Sequence, residues 1–212
     1  MHGYKLQKDR ERLFHLLAAA GIPAEIRQAM ERIPREYFLP EPLRHLAYEN
    51  TALPIGWGQT ISQPLTVARM TALLQPAAGL TVLEIGTGSG YQAAVLAALG
   101  MQVFTVERDQ RLYQQARKRF RALHLPIQCI HRDGTDGWSQ KAPYDRILIT
   151  AATAMPTDAL LQQLRPGGLC VFPLDQSGEQ RLARIHRHPD GSLTDPELFD
   201  QCSFVPLRSS TV

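Results

Sequence analysis

The chain has 212 residues, of which 44% are hydrophobic and 20% charged, the composition of a globular protein with a full core. Its formal net charge of +3 is too small to indicate a nucleic-acid-binding surface. No apolar run reaches the roughly 20 residues that cross a bilayer, and residues 1–12 have no apolar stretch typical of a signal peptide. We therefore expect a cytoplasmic protein that binds neither membranes nor nucleic acids, and whose three cysteines stay reduced.

The first third of the sequence predicts helices joined by proline-bounded turns. Apolar residues at helical spacing, such as Leu13 and Leu17, favour the first helix. Tyr37 and Phe38, after the second helix, are expected to point into the core. The predicted helical ranges are residues 7–20, 23–33 and 42–48. These helices carry too few apolar residues to fold alone, so residues 1–78 are expected to form a cap and a substrate loop on one larger domain.

Residues 50–64 form an unusual segment with two prolines, two glycines and no charged residue. The segment is too long and too apolar for a simple surface connection, and long ordered loops of this kind are often functional. Pro64 is a favourable first residue for the next helix, which is predicted to run to about Leu74. We expect this loop to belong to a functional site.

The middle of the sequence alternates between strand and helix patterns, which is typical of a parallel sheet with helices on both faces. The predicted strands are residues 81–85, 102–106, 127–130, 144–150 and 169–174, and the predicted helices are residues 92–99, 110–124 and 156–164. Two later strands, at residues 181–188 and 199–207, are expected to add an antiparallel edge. A single domain over residues 1–212 is predicted, with an α/β core at residues 79–176 and C-terminal strands at residues 177–212.

Three glycines at every second position, Gly86, Gly88 and Gly90, lie between the first of these strands and a helix. Glycine permits a sharp turn with positive φ and lets a ligand approach bare backbone, and the helix N-terminus offers free N–H groups. The spacing differs from the G-x-G-x-x-G of dinucleotide enzymes, and the P-loop lysine is missing. The pattern predicts a nucleotide-like ligand, whereas the glycines alone are also compatible with a tight strand–helix turn.

Acidic residues near the strand ends narrow the choice of ligand. Glu107 closes the second strand, where a carboxylate can accept both hydrogen bonds of a ribose diol. Asp133 follows the third strand and can receive an adenine amino group, and Glu84 lies just before the glycines and is expected to face the same edge. S-adenosylmethionine has no phosphates, so it does not need a phosphate-binding loop, and its positive charge suits a site with carboxylates. The combination therefore favours S-adenosylmethionine as the ligand. Taken alone, Glu107 is also compatible with a solvated strand end and Asp133 with an ordinary turn.

Several short motifs follow one another along residues 35–207, and one of them is specific. They include Leu53-Pro54-Ile55-Gly56, Glu84-Ile85-Gly86-Thr87-Gly88-Ser89-Gly90-Tyr91-Gln92, Asp133-Gly134, Ala142-Pro143-Tyr144-Asp145, Thr150-Ala151-Ala152, Gln163-Leu164-x-Pro166-Gly167-Gly168, Pro173 and Phe204-Val205-Pro206-Leu207, and the glycine loop among them is not specific by itself. The specific one is Thr-Ile-Ser-Gln-Pro at residues 60–64. Through these motifs the sequence resembles the protein-L-isoaspartate O-methyltransferase family. The resemblance implies a Rossmann-like class I methyltransferase fold, with a mostly parallel doubly wound sheet, an antiparallel C-terminal edge and an N-terminal helical cap.

The resemblance also implies roles for residues at matching positions. Ser62 matches the active-site serine, S-adenosylmethionine is the implied cofactor with S-adenosylhomocysteine as product, and isoaspartyl-containing proteins and peptides are the implied substrates. The implied substrate-binding residues are Thr60, Ile61, Ser62, Val205 and Pro206. The implied cofactor-binding residues are Glu84, Gly86, Thr87, Gly88, Ser89, Gly90, Tyr91, Gln92, Glu107, Arg108, Asp133, Gly134 and Thr150. Two departures concern the site: Arg132 stands where the family has glycine, and residues 153–155 replace a more proline-rich stretch.

The role implied for Ser62 is to orient the substrate carboxylate, a nucleophile that needs no activation. A carboxylate has a reference pKa of ~4 and is ionised at neutral pH, so the reaction requires alignment of the reacting atoms and exclusion of water. The Ser62 hydroxyl would donate a hydrogen bond to that carboxylate, and the N-terminus of the helix at Pro64 favours an anion. The position of Ser62 alone favours a plain helix cap.

Two wider alternatives stay open at this stage. One is a related carboxyl methyltransferase that acts on a dedicated peptide or small-molecule carboxylate, and the other is a Rossmann-type protein that is not a methyltransferase. Trp57 and Trp138 suit either a cleft wall or the core. His186 and His188 have no third ligand nearby, so no metal site is predicted. The basic run at residues 117–121 is interpreted as the solvated face of a helix, and a monomer is expected.

Overall fold

The structure is a computed structural model that describes residues 2–210, and Met1, Thr211 and Val212, at the ends of the predicted domain, lie outside the described residues. The helices are α1 (His2–Ala19), α2 (Ala24–Arg32), α3 (Pro64–Leu73), α4 (Tyr91–Ala98), α5 (Gln110–Ala122) and α6 (Asp158–Leu161). The strands are β1 (Leu53–Gly56), β2 (Gln59–Ile61), β3 (Thr81–Ile85), β4 (Gln102–Glu107), β5 (Gln128–His131), β6 (Tyr144–Ile149), β7 (Leu164–Gln176), β8 (Glu179–His186) and β9 (Glu197–Gln201). Short 3₁₀ helices lie at Arg35–Phe38, Glu41–Leu46 and Ser139–Lys141. Among residues 2–210, no helix has the length and apolar character needed to cross a membrane.

Seven strands form one sheet in the order β5-β4-β3-β6-β7-β8-β9. Neighbouring strands from β5 to β7 run parallel, whereas β7, β8 and β9 pair antiparallel. The central strand β3 has Val82, Leu83 and Ile85 buried, as expected for a parallel strand covered on both faces. The predicted mostly parallel sheet with an antiparallel C-terminal edge is confirmed. The carboxyl ends of β3, β4, β5 and β6 meet at one edge, where sheets of this type bind ligands.

The two faces of the sheet are covered by different amounts of helix. One face, which includes Val82 and Leu148, packs against α3, α4 and α5. The other face, which includes Leu83 and Ile147, packs against α6 and the turn that contains Trp138. Both faces are therefore covered, but the second carries only the four residues of α6 and its neighbouring loops.

The N-terminal helices reach the sheet through α4. Leu17 of α1 and Met30 of α2 belong to the same buried cluster as Tyr91 of α4. Phe38 is fully buried and meets Tyr91 edge-on, with ring centroids 5.4 Å apart. The prediction for Tyr37 is wrong, because that side chain is 52% exposed. Since Tyr91 directly follows the glycine loop, the N-terminal helices also support the loop.

The predicted helix at residues 156–164 is wrong in extent, because only Asp158–Leu161 is α-helical. From Leu164 onward the chain belongs to β7, which is much longer than the predicted strand. The Gln163 carbonyl already accepts a hydrogen bond of 2.8 Å from Tyr144 N at the start of β6. Backbone pairing with the sheet therefore replaces the last helical turn.

Residues 50–64, predicted as a long ordered loop, contain a hairpin of β1 and β2. Leu53 pairs with Ile61, and both side chains are buried. The tip is a Gly-Trp-Gly turn centred on Trp57, in which all three residues have positive φ. The two glycines permit this sharp reversal, and the hairpin leads directly into the predicted active-site segment.

Candidate active site

A cavity of about 300 Å³ lies at the carboxyl ends of β3, β4 and β6, which is the size of a small-molecule site. Its walls come from the glycine loop, the β1–β2 hairpin with the start of α3, the end of β4 with the start of α5, and the segment after β9. The predicted site residues that line it are Thr60, Ile61, Ser62, Gly86, Thr87, Gly88, Ser89, Tyr91, Gln92, Glu107, Arg108, Gly134, Thr150, Val205 and Pro206. Three other predicted residues, Glu84, Gly90 and Asp133, do not line the cavity.

The glycine loop depends on glycine for two different reasons. Gly86 has a φ of 95°, and a Cβ there would lie 2.5 Å from Oγ1 of Thr150, which donates a 2.6 Å hydrogen bond to the Gly86 carbonyl. A Cβ on Gly90 would instead lie 2.7 Å from the ring of Phe120 in α5. Gly90 therefore permits close packing between α4 and α5 and, contrary to the prediction, is not part of the cavity wall.

Glu107 joins the end of β4 to the glycine loop. Its Oε2 accepts a hydrogen bond from Gly88 N (2.7 Å), and its Oε1 accepts one from Asp109 N (2.9 Å). The side chain is buried, and this burial raises its pKa against the opposing effect of backbone N–H groups, among them those of Asp109 and Gly88. Each carboxylate oxygen has two lone pairs, so Glu107 can still accept two hydroxyl groups from a ligand in the cavity.

Glu84 is directed into the sheet, and the expectation that it faces the ligand is wrong. Its side chain is fully buried and is hydrogen-bonded to the hydroxyl of Thr105, which in turn lies 2.6 Å from the hydroxyl of Thr87. Burial raises the pKa of Glu84 to about 8, so the carboxyl group is largely protonated at neutral pH. Glu84 therefore supports the glycine loop from beneath, through two hydroxyl groups.

Both carboxylate oxygens of Asp133 already accept hydrogen bonds, one from its own loop and the other from the C-terminal segment. Its Oδ1 accepts hydrogen bonds from N and Oγ1 of Thr135 (2.9 and 2.7 Å), and its Oδ2 accepts one from Ser210 N (2.5 Å). The next residue, Gly134, borders the cavity in its place. Arg132, which departs from the family pattern, does not line the cavity either.

Ser62 lies between the end of β2 and the start of α3, half-buried in the cavity wall. The N-cap position of α3 belongs to Gln63, which makes no side-chain cap hydrogen bond. The side chain of Asn50 supplies that bond, because its Oδ1 accepts from Leu65 N at 3.0 Å. Ser62 is therefore not needed for the capping role that its position alone favours.

The segment after β9 is held in the cavity wall by backbone pairing. The strand predicted at residues 199–207 ends earlier than expected, and the chain then runs beside Ala152. Ala152 N donates to the Val205 carbonyl (2.8 Å), and Leu207 N donates to the Ala152 carbonyl (2.7 Å). This pairing brings Val205 and Pro206 to the cavity that Ser62 lines.

The cavity also includes residues that the sequence patterns did not assign to a site. Asp109 caps α5 through a 2.8 Å hydrogen bond from Arg111 N, and both residues line the cavity. Met70 and Phe204 line it as well. Asp109 and Arg111 lie within four residues of Glu107, which is the signal that could have marked them. No comparable signal marks Met70, whose place in an apolar helical stripe is typical of the core.

Comparison with known proteins identifies relatives along nearly the whole chain. A sequence model of the protein-L-isoaspartate(D-aspartate) O-methyltransferase family matches residues 8–212. The protein-L-isoaspartate O-methyltransferase of Xylella fastidiosa (strain M12) is 48% identical over 202 residues, which cover 95% of this chain and 96% of the relative. The protein of the same name from Stenotrophomonas maltophilia (strain R551-3) is 49% identical over 208 residues, which cover 98% of this chain and 92% of the relative.

Solved structures share the fold of this chain. A protein-L-isoaspartate O-methyltransferase has a TM-score of 0.84 and 29% identity, covering 93% of this chain, which spans 65% of that longer chain. A second structure, from Plasmodium falciparum in complex with S-adenosyl-L-homocysteine, has a TM-score of 0.80 and 21% identity over 94% of this chain and 98% of the other, and it supports the fold. The chain belongs to the protein-L-isoaspartate(D-aspartate) O-methyltransferase family.

Proposed function

We propose that the protein transfers a methyl group from S-adenosylmethionine to the free carboxylate of L-isoaspartyl residues in damaged proteins and peptides, which initiates their repair. One observation carries the proposal: a single cavity is bordered by the glycine loop with Glu107 and also by Ser62 with Val205 and Pro206. The first group suits an adenosyl ligand, and the second suits an extended peptide. Membership of the family supports the same reaction.

The residues around the cavity fit the cofactor. Glu107 retains an acceptor position on each oxygen for the two ribose hydroxyls, and Gly86 and Gly88 leave bare backbone where the ligand approaches. Arg108 and Gly134 would border the adenine. When bound, S-adenosylmethionine supplies an electrophilic methyl group on a sulfonium. Further contacts are proposed for Thr87, Ser89, Tyr91, Gln92 and Thr150, all of which line the cavity.

The protein's own contribution to the reaction is to orient a carboxylate that is already nucleophilic. A substrate carboxylate with a pKa of ~4 needs no general base at neutral pH. The Ser62 hydroxyl donates one hydrogen bond to it, and the N-terminus of α3 adds a favourable dipole. Ile61, Val205 and Pro206 line the cavity beside Ser62, and the buried side chain of Ile61 limits the access of water to the reacting atoms. A neutral hydroxyl orients the anion without the strong pairing to arginine or lysine that would reduce its nucleophilicity.

We also propose that the chain acts as one domain and as a monomer in the cytoplasm, without binding membranes or nucleic acid. The buried cluster that unites the N-terminal helices with α4 supports the single domain. Cys129, Cys170 and Cys202 are free thiols, and burial raises the pKa of Cys202 to about 11. A raised pKa keeps a thiol protonated and unreactive, which is consistent with a reducing compartment.

A pair of synthetic peptides tests the reaction directly. One contains a single isoaspartyl residue, and its twin contains aspartate at the same position. The proposal predicts that radiolabelled methyl groups from S-adenosylmethionine appear as base-labile esters on the isoaspartyl peptide only. Equal labelling of the twins would contradict the specificity. Labelling of neither peptide, by protein that binds S-adenosylhomocysteine in calorimetry, would indicate a related carboxyl methyltransferase with another substrate.

A further inference from the structure

Trp57 is an exposed aromatic residue in an unfavourable backbone conformation. It occupies the tip of the β1–β2 hairpin with a φ of 51°, in a region where bulky residues are rare, and it is 41% exposed. Backbone strain of this kind persists where surrounding contacts over-determine it, often at ligand clamps and switch regions. The position of this ring therefore calls for a functional explanation.

Arg111 covers the ring of Trp57. The guanidinium carbon lies 4.9 Å from the ring centroid, within the range of a cation–π contact. Asp109 holds the same guanidinium with two hydrogen bonds, from Nε to Oδ1 (3.1 Å) and from Nη2 to Oδ2 (2.6 Å). A bidentate pair fixes the orientation of the guanidinium plane, so its face stays available to the indole.

The contact between Trp57 and Arg111 is linked through Asp109 to Glu107, the residue predicted to bind the ribose of the cofactor. Asp109 N donates to Oε1 of Glu107, and Oε2 of Glu107 accepts from Gly88 N. A continuous series of contacts therefore joins the hairpin tip, the start of α5 and the glycine loop. Trp57, Arg111 and Asp109 all line the cavity, so the series follows its wall.

The hairpin itself offers little to fix its tip. Strands β1 and β2 form a two-stranded sheet separate from the main one, and such pairs are marginally stable alone. Leu53, Ile55 and Ile61 anchor the base of the hairpin in the core, whereas Trp57 and its neighbouring glycines are exposed. The contact with Arg111 ties this exposed tip to the part of the cavity wall formed by α5.

We propose that Trp57 and Arg111 form a latch that holds the hairpin closed over the cofactor and whose opening controls the exchange of S-adenosylhomocysteine for S-adenosylmethionine. The inference rests on the proposed function, from which it takes the cofactor. Trp57 and Arg111 are positioning residues, because they act through the hairpin and supply no group to the reaction. The hairpin leads into Ser62, so the same closure also sets the position of the substrate-binding segment.

Dissociation of S-adenosylhomocysteine, measured by stopped flow, tests the latch without measuring activity. A cation–π contact at an exposed site changes an equilibrium by about 2- to 5-fold, so Trp57→Ala and Arg111→Ala are each expected to accelerate dissociation by about that factor. Trp57→Phe keeps a ring on the same strained backbone and should show a smaller change. Because both residues serve one contact, the double variant should dissociate no faster than the faster single variant.

Arg117→Ala is the matched control. Arg117 lies over the ring of Tyr113, 5.3 Å from its centroid, on the same helix, but neither residue lines the cavity. The Arg117→Ala variant should release S-adenosylhomocysteine at the same rate as the parent protein. The chain has two tryptophans, so a Trp138→Phe background leaves Trp57 as the sole indole, and its fluorescence should change when S-adenosylhomocysteine binds.

Parent-like dissociation from Trp57→Ala, additive effects in the double variant, or an equal effect of Arg117→Ala would each overturn the latch. Thermal unfolding of the ligand-free variants establishes that each one folds. If the parent methylates the isoaspartyl peptide while Trp57→Ala retains parent-like dissociation, the latch fails and the proposed function stands. If the latch variants behave as expected but no isoaspartyl peptide is methylated, the proposed function fails and the latch stands.

Discussion

The Ser62 hydroxyl is predicted to orient the substrate carboxylate. A hydrogen bond to a charged group contributes about 1.5–3 kcal/mol, so Ser62→Ala is expected to lower kcat/KM for an isoaspartyl peptide by about 10- to 100-fold. The affinity for S-adenosylhomocysteine, measured by calorimetry, should change little, because the contact concerns the substrate. An unchanged kcat/KM would contradict the orienting role.

Glu84 makes the stability of the fold depend on pH. Burial raises its pKa from 4.5 to about 8, so between these values the unfolded chain is ionised at this position while the folded protein keeps its proton. The contribution of Glu84 to the free energy of unfolding therefore falls as the pH rises through this range. Glu84→Gln removes the titration, and its stability relative to the parent should improve with rising pH. Urea unfolding of both proteins near pH 4.5 and near pH 8 measures the difference, and parallel pH profiles would refute it.

At the scale of elements, the cap of α3 can be separated from the chemistry at its N-terminus. The Asn50 side chain caps the helix through Leu65 N, so Asn50→Ala is expected to lower the free energy of unfolding by about 1 kcal/mol. Turnover of the isoaspartyl peptide by the folded variant should remain close to that of the parent. This is the reverse of the expectation for Ser62→Ala, so the two variants together distinguish a cap from an orienting group. A large loss of turnover in Asn50→Ala with unchanged stability would contradict this division.

Sequence patterns predicted the elements whose local signals agree with their tertiary environment. Strand β3, the glycine loop and α4 were located to within a residue, because an apolar strand, special glycines and a buried helix coincide there. The helix expected at residues 156–164 failed because sheet pairing at Gln163 overrides helical propensity. The hairpin at residues 50–64 was missed because its strands have only four and three residues. Strands this short place only Leu53, Ile55 and Ile61 in the core, which is too few to give a clear alternating pattern.

The prediction of the site was limited in a similar way, because the sequence does not give the direction of each side chain. A motif specifies which residues lie near the sheet edge, and most of those predicted line the cavity. It does not specify which face of a strand a residue occupies, and Glu84 turned into the sheet. Nor does it reveal tertiary partners: the Asp133 carboxylate accepts from Ser210 N, far along the chain. Both departures depend on contacts between segments remote in sequence.

For the whole molecule, the shared core predicts cooperative unfolding. Phe38 is fully buried between the N-terminal region and Tyr91 of α4, so Phe38→Ala is expected to cost about 3–5 kcal/mol. If the N-terminal helices and the sheet form one cooperative unit, this loss lowers the stability of both equally. Far-UV circular dichroism and tryptophan fluorescence should then report one coincident transition, since Trp57 lies on the hairpin and Trp138 packs against the sheet. Saturating S-adenosylhomocysteine should raise the midpoint of that single transition, because a ligand that binds only the folded state stabilises it by mass action. Two separate transitions, with only the first shifted by Phe38→Ala, would show that the N-terminal helices unfold as an independent layer.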